Sequence, residues 1–176
     1  AKTSLTQSWA NDTSLKASFA AFLKSIERLD LLVKAKLKDA LREAGLLEQV
    51  ARCQAVEGIG FLTATALVMA YNRGDFKSGD SYIAFLGMDL RVTDSGQKNG
   101  RRFLTKRGCS EIRRLLHNAA MSASRSSAWK EFYDHHRSRG KATTQVLVML
   151  ARKLARVAFA LMKNQSEYQP KGWVMA

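Results

Sequence analysis

The chain has 176 residues, of which 46% are apolar, enough for one domain with a hydrophobic core. Twenty-nine basic residues against fifteen acidic ones give a net charge of +14. Such an excess favours a polyanionic partner, with nucleic acid as the leading candidate and an anionic membrane surface as the weaker one. The sequence has no apolar run near the roughly 20 residues of a membrane span, no cleavable signal and no cysteine spacing typical of a metal site. We therefore expect a cytoplasmic protein without a membrane segment, whose Cys53 and Cys109 are buried or idle thiols.

A heptad-like pattern runs through the first quarter of the chain. Between residues 14 and 44, apolar side chains recur in alternating steps of four and three, at Leu15, Phe19, Phe22, Ile26, Leu29 and Val33. This spacing is typical of a coiled-coil seam or of a helix packed on a helix, and Gly45 is a natural stop. A helix of about 30 residues extends roughly 45 Å, more than a small domain can cover. We expect residues 1–46 to form a coiled-coil or linker helix that joins a second copy in a dimer or higher oligomer. The alternative is a hairpin that packs on its own domain.

The remainder of the chain predicts a helical domain over residues 47–164 and a flexible tail over 165–176. Helical periodicity and glycine boundaries predict further helices at 46–55, 62–71, 80–85, from Ser110 onward, and at 129–136 and 143–162. Extended residues are expected at 88–93, with a return strand near 102–105. The predicted fold class is mainly α: a long N-terminal coiled-coil helix followed by a helical domain with a helix-hairpin-helix and a small β-hairpin or extended turn.

Residues 55–64, AVEGIGFLTA, resemble a helix-hairpin-helix. Gly58 and Gly60 allow a tight turn, and Ile59 tucks inward. The backbone N–H groups at the start of the second helix, near Thr63, would bind a phosphate without reading sequence. The alternative is a glycine turn between two helices that only pack together. The basic charge of the chain favours contact with DNA.

A serine in a glycine-flanked turn is the candidate catalytic residue. Ser95 stands in Asp94-Ser95-Gly96, and the seven cations that follow are Lys98, Arg101, Arg102, Lys106, Arg107, Arg113 and Arg114. Cations hold phosphate oxygens and a serine oxygen can attack phosphorus, so this arrangement suits chemistry on a phosphodiester. A plain surface turn is the alternative, because no histidine has the spacing of a Ser-His-Asp arrangement and the adjacent His135 and His136 make a poor metal pair.

We call residues 98–114 the basic band. From residue 90 to residue 130, the only acids are Asp94 and Glu111, which favours a defined docking face for a polyanion. Gly108 can end the incoming strand, and Ser110 can cap the helix that follows. The N-terminus of that helix would add positive potential beside the cations of the band.

In their order along the chain, these motifs resemble the carboxy-terminal half of the insertion-sequence-110 (IS116/IS110/IS902-type) family of transposases, which also contains Piv-type pilin-gene invertases. The matching motifs are GIG…TA, an aromatic short helix with F-x-G, the S-G turn, GRR…TKRG, IRRLLHNAA and a closing helix with RKLA. The resemblance covers about residues 55–163. The combined pattern is far more specific than any single motif in it.

The resemblance implies a two-part recombinase. An amino-terminal RuvC-like domain with a DEDD carboxylate set binds a divalent metal, and the carboxy-terminal domain supplies a nucleophilic serine, whose position Ser95 matches. Ser95 would then form a covalent phosphoserine link to a cleaved DNA strand, which a second strand resolves. The long helix would connect the two halves and join subunits. Some relatives use a structured bridge RNA, and the resemblance leaves open whether RNA is a partner here.

The acids that precede Glu57 lie in the long helix and its flanks rather than in strands. We therefore expect no cofactor in this chain and Mg²⁺ in a RuvC-like half outside it. Alone, the chain is expected to bind DNA at the bacterial nucleoid without cutting it. Two alternatives stay open: a non-enzymatic helix-hairpin-helix module that only positions nucleic acid, and a dimerising coiled-coil scaffold.

Overall fold

The computed structural model describes residues 13–91 and 103–170, which form two compact units that divide between Leu47 and Glu48. Within these residues the chain is mainly helical, as the sequence predicts, with seven helices and one two-stranded sheet. None of the described helices is long and apolar enough to cross a bilayer. In chain order the elements are α1 (Thr13–Glu43), α2 (Leu47–Gln54), α3 (Phe61–Tyr71), α4 (Gly79–Phe85), β1 (Leu90–Arg91), β2 (Phe103–Leu104), α5 (Ser110–Ala123), α6 (Ser127–Ser138) and α7 (Thr143–Asn164).

The described part of the first unit is α1 and the turn that ends it. Gly45 has a φ of 69°, and its N–H donates to the Arg42 carbonyl at 3.0 Å. Glycine adopts this left-handed conformation without a Cβ penalty, so the helix ends beside the glycine that the sequence marks as its stop. The predicted seam is exposed, with Phe19, Phe22 and Leu29 at 64%, 61% and 60% exposure.

The centre of the second unit is α7, which packs against α3, α4, α5 and α6. Ten of its side chains are buried because apolar residues recur every three or four positions along one face. A fully buried leucine such as Leu154 stabilises the fold by about 2 kcal/mol. Tyr82 of α4 is also fully buried, donates its hydroxyl to the Leu67 carbonyl at 2.8 Å and stacks on Phe159 at 5.4 Å between ring centroids. These contacts fix α4 on α7 and thereby position the chain that follows α4.

Strands β1 and β2 form the predicted hairpin. They pair antiparallel, with Leu90 opposite Leu104 and Arg91 opposite Phe103. The pairing confirms the return strand and brings the two ends of segment 92–102 side by side. That segment lies outside the described residues.

The glycine turn between α2 and α3 packs closely on α5. Gly58 has a φ of 91°, and a Cβ there would lie 2.6 Å from the Ala119 carbonyl oxygen and 2.6 Å from the Ala123 Cβ. Gly60 has a φ of −80°, and no described atom lies within 4 Å of its Cβ position. The first glycine is therefore required for helix packing, whereas the second has space for a side chain.

Gly58→Ala and Gly60→Ala make a matched pair that tests this packing. We expect Gly58→Ala to lower the free energy of unfolding by about 2–4 kcal/mol, because it combines left-handed strain with overpacking against α5. Gly60→Ala should cost about 1 kcal/mol or less, the usual difference at a helix N-cap. Urea denaturation followed by circular dichroism measures both, and equal losses would contradict the packing role of Gly58.

Candidate nucleic-acid interface

The proposed nucleophile and four of the predicted phosphate contacts lie outside the described residues: Ser95, Gly96, Lys98, Arg101 and Arg102. The structure does describe the two ends of their segment. The Thr105 N–H donates to the Asp89 carbonyl at 3.0 Å, and the Thr105 hydroxyl donates to the Asp89 carboxylate. Together with the strand pairing, these bonds close the base of the hairpin. The segment that carries Ser95 therefore leaves and returns at one fixed point.

A contact between two glycine backbones fixes this base to the end of α4. Gly87 has a φ of 67°, and a Cβ there would lie 2.4 Å from the Gly108 nitrogen. A Cβ on Gly108 would lie 2.4 Å from the Phe85 carbonyl oxygen. Side chains cannot come so close to backbone atoms. A larger residue at Gly87 or Gly108 would therefore force the end of α4 away from the chain that leads into α5. The two glycines thus set the position of Lys106 and Arg107, which precede Gly108.

Lys106 and Arg107, just before Gly108, are exposed cations, and we call the turn that contains them the cationic turn. Neither has an ion pair within residues 13–91 and 103–170, although both belong to the predicted basic band. Lys106 has a φ of 56°, and its N–H donates to the Gly87 carbonyl at 3.2 Å. A left-handed conformation costs a non-glycine residue about 1–2 kcal/mol. Residues held in such conformations cluster at functional sites, which makes this turn a candidate contact for a ligand.

Arg113 and Arg114, the next two cations of the band, have partners within the protein. The half-buried Arg113 donates to the Gly108 carbonyl at 2.5 Å and so supports the glycine contact. Arg114 pairs with Glu111 at 2.5 Å on the exposed face of α5. This hydrogen bond lowers the pKa of Glu111 and raises the pKa of Arg114. Exposed pairs of this kind are weak, so Arg114 can exchange its partner for a phosphate.

Cys109, rather than the predicted Ser110, is the N-cap of α5. Ser110 is instead the first residue of the helix. Cys109 is exposed, and the backbone N–H groups of Ile112 and Glu111 lower the pKa of its thiol. Cys109 is therefore not buried, and that it is idle stays a prediction. Cys53 is buried, and burial raises its pKa to about 12.

The glycine turn predicted as a helix-hairpin-helix offers less surface than its sequence indicates. Ile59 is 4% exposed, in agreement with its predicted inward position, and Thr63 is 6% exposed. The Thr63 side chain is thus part of the interior, and only backbone groups of this turn remain for a phosphate. Gly60 is exposed and caps α3 without a side-chain hydrogen bond. Glu57 places a carboxylate beside the turn and accepts a hydrogen bond from the Tyr168 hydroxyl at 2.7 Å.

Of two arginines on α7, Arg156 pairs with the start of α4, and Arg152 interacts electrostatically with Asp89 at the base of the hairpin. Arg156 donates to Asp80 at 2.5 Å, and this bond lowers the pKa of Asp80. Arg152 is half-buried, and burial together with the neighbouring Arg156 charge lowers its pKa. The carboxylates of Asp80 and Asp89 act in the opposite direction. Because Asp89 also accepts the Thr105 bonds, the charge of Arg152 lies close to the point where the serine segment begins.

The structure adds residues that sequence reasoning missed. Arg73, which follows α3, and Phe85 of α4 line one cavity together with Arg107 and Cys109. No local motif marks Arg73, and Phe85 is marked only as the first residue of the F-x-G motif. That the two residues line one cavity depends on how α3 and α4 pack.

The chain resembles known transposases in sequence. The family model described as Transposase IS116/IS110/IS902 family matches residues 50–134, which contain the glycine turn, the hairpin and α5. A probable family 20 transposase of Pseudomonas aeruginosa is 29% identical over 163 residues, 89% of this chain and 46% of that protein. An insertion element IS110 protein of 43.6 kDa from Streptomyces coelicolor is 26% identical over 156 residues, 88% of this chain and 38% of that protein.

An insertion element IS900 protein of 42 kDa from Mycobacterium paratuberculosis is 32% identical over 117 residues, 64% of this chain and 28% of that protein. The chain thus spans less than half the length of these curated relatives, two of which are described as uncharacterized. The family match lies on the same residues that form the closed hairpin base and the cationic turn. Residues 50–134 match the IS116/IS110/IS902 family of transposases, and the three curated relatives support that identification.

Proposed function

We propose that the chain is the DNA-binding and serine-nucleophile part of a transposase or site-specific recombinase. The observation that carries the proposal is the closed hairpin base, which holds both ends of the Ser95 segment beside the exposed cations Lys106 and Arg107. The match of residues 50–134 to a transposase family model also supports it. The paired strands of the hairpin base lie within the residues that the family model matches.

Binding to DNA follows from the charge of this surface. The chain carries +14, and the cationic turn has no acidic partner within the described residues. Lys and Arg side chains bind phosphates and release counterions, which gives affinity without sequence readout. The N-terminus of α5 adds positive potential beside the turn. A bridge RNA would present the same backbone phosphates, so the surface suits either nucleic acid, in the cytoplasm and at the nucleoid.

In this proposal the Ser95 hydroxyl oxygen attacks the phosphorus of a DNA phosphodiester. A bond forms between the serine Oγ and phosphorus as the bond from phosphorus to the leaving strand oxygen breaks. The serine proton passes to a base, and the leaving oxygen takes up a proton. One phosphodiester replaces another, so the hydroxyl end of a second strand can release the serine by the reverse reaction. Lys106 and Arg107 would stabilise the negative charge on the transferring phosphate.

Mg²⁺ is proposed to belong to a RuvC-like half outside this chain. Among the described residues, no three His, Cys, Asp or Glu side chains lie close enough together to hold a metal ion. The described residues thus provide no metal-binding cluster of their own.

Ser95→Ala in the full-length transposase that contains this chain tests the nucleophile. We expect recombination of a plasmid substrate to fall to background, because the attacking oxygen is removed. The affinity for substrate DNA in a mobility-shift assay should change less than about threefold, since the hydroxyl acts in the chemical step. Ser110→Ala, in the same basic band, is the matched control and should recombine normally. Recombination by Ser95→Ala would refute the nucleophile and favour a module that only binds nucleic acid.

We also propose that α1 joins two copies of the chain. Its heptad positions remain exposed in the isolated chain, with Phe22, Ile26 and Val33 at 61%, 47% and 55% exposure. Exposed apolar stripes of this length are stabilised when another helix covers them. A second copy provides a matching stripe by symmetry.

A double substitution on one face of α1 tests this association. Phe22→Glu with Leu29→Glu places like charges seven residues apart on the seam, so we expect a monomer in sedimentation equilibrium where the parent chain is a dimer or larger. Lys24→Glu, which is exposed but off the seam, is the control and should keep the parent mass. An unchanged mass for the double variant would show that the seam is not the interface.

A further inference from the structure

An open cavity of about 580 Å³ lies where α3, α4 and the N-terminus of α5 meet. Its size falls within the range of about 300–1,000 Å³ that is usual for sites of small molecules and cofactors. Three alanines contribute to its walls and keep it open. The remaining side chains that matter for its chemistry are Met69, Phe85, Ile112, Arg73, Arg107 and Cys109.

The large apolar side chains that line the cavity are accessible to solvent. Met69 and Phe85 are each 43% exposed, whereas large apolar side chains are mostly covered in the core around α7. Phe85 is held by its contact with Phe76, at 5.2 Å between ring centroids and 60° between planes. Nucleic-acid bases stack on such rings with little sequence preference. The apolar part of the cavity lining therefore suits a flat aromatic group.

The charged side chains that line the cavity are both cationic. Arg73 and Arg107 are both exposed, no acidic residue lines the cavity, and neither arginine is paired within the described part of the chain. An anion carried by the occupant would complement these charges. An occupant that combines a flat apolar part with an anionic part is a nucleotide.

The position of the cavity connects it to the hairpin. Arg107 lies next to Gly108, whose backbone contact with Gly87 fixes the hairpin base. A strand whose phosphates bind the cationic turn would therefore pass the mouth of the cavity. A paired base cannot enter it, because its edge and faces are occupied in the duplex, but an unpaired one can.

We propose that this cavity binds a single unpaired nucleotide of a DNA strand, with its base against Met69 and Phe85 and its phosphate at Arg73 and Arg107. The inference rests on the proposed function and deepens it, since it names the form of nucleic acid that this surface prefers. It predicts that DNA with one unpaired nucleotide binds more tightly than the same DNA fully paired.

Cys109 provides a reporter for occupancy, because it lines the cavity and is exposed, whereas Cys53 is buried. The experiment compares two duplexes of identical sequence, one fully paired and one with a single bulged nucleotide. Affinities are measured by fluorescence anisotropy, and the rate of Cys109 alkylation by N-ethylmaleimide is measured with each duplex at saturation. We expect the bulged duplex to bind about tenfold more tightly. We also expect it to slow alkylation about tenfold relative to the paired duplex.

Phe85→Ala and Arg73→Ala should each abolish most of the preference for the bulged duplex and keep binding to the paired one. Met121→Ala, an exposed apolar residue of α5 that does not line the cavity, is the control and should keep the preference. Thermal melting of each variant establishes that it is folded. Retention of the preference by both folded cavity variants would overturn the inference.

The other outcomes separate the two proposals. Equal affinities and equal alkylation rates with both duplexes would overturn the cavity inference and leave the proposed function standing. Failure to bind either duplex would overturn the proposed function. Protection of Cys109 without DNA that grows with protein concentration would mean that a second copy covers the cavity, and this too would overturn the inference.

Discussion

Gly87 and Gly108 meet backbone to backbone, and Gly108 lies equally close to the end of α4. This approach is possible only without side chains, and the positive φ of Gly87 makes a glycine necessary for a second reason. The contact connects three features that are separate in sequence: the last turn of α4, the base of the hairpin and the start of α5. The cations, the helix N-terminus and the ends of the serine segment are near one another because of it.

The buried face of α7 anchors α4, the helix that ends at the contact between Gly87 and Gly108. Tyr82 and Phe159 stack between α4 and α7, so the element that ends at the glycine contact is anchored in the most apolar part of the unit. Arg156 ties the start of α4 to the same helix through Asp80. A catalytic group on a loop is positioned well only when rigid elements hold the loop ends. Here the closed hairpin base provides that rigidity at both ends of the segment that carries the proposed nucleophile, Ser95.

Much of the helical framework could be predicted from the sequence, because it depends on local periodicity. The seam of α1, its stop at Gly45 and the apolar face of α7 are patterns of three and four residues, and each helix was found within a few residues of its bounds. The sequence predicts Ser110 as the N-cap of α5 because serine is preferred at that position, whereas the structure has Cys109 there. The burial of the Thr63 side chain has no signal in the sequence, because the close packing of the glycine turn on α5 is a tertiary effect.

The cavity could not have been predicted, because Arg73, Phe85 and Cys109 come from three elements and belong to no common motif. The nucleophile shows the opposite case. Ser95 is predicted as the nucleophile from motif order, and that role stays a prediction. The structure describes the ends of the segment that carries it.

The most direct test of this account is the salt dependence of duplex binding by the cationic turn. Lys106→Ala and Arg107→Ala should each weaken binding and reduce the slope of log K against log salt by about one, measured between roughly 50 and 200 mM salt. Arg125→Ala, beyond the other end of the 14-residue helix α5 and so about 21 Å away, should leave the slope unchanged. A full slope in both turn variants, or binding that does not depend on salt, would contradict the claim that this turn holds the nucleic-acid backbone.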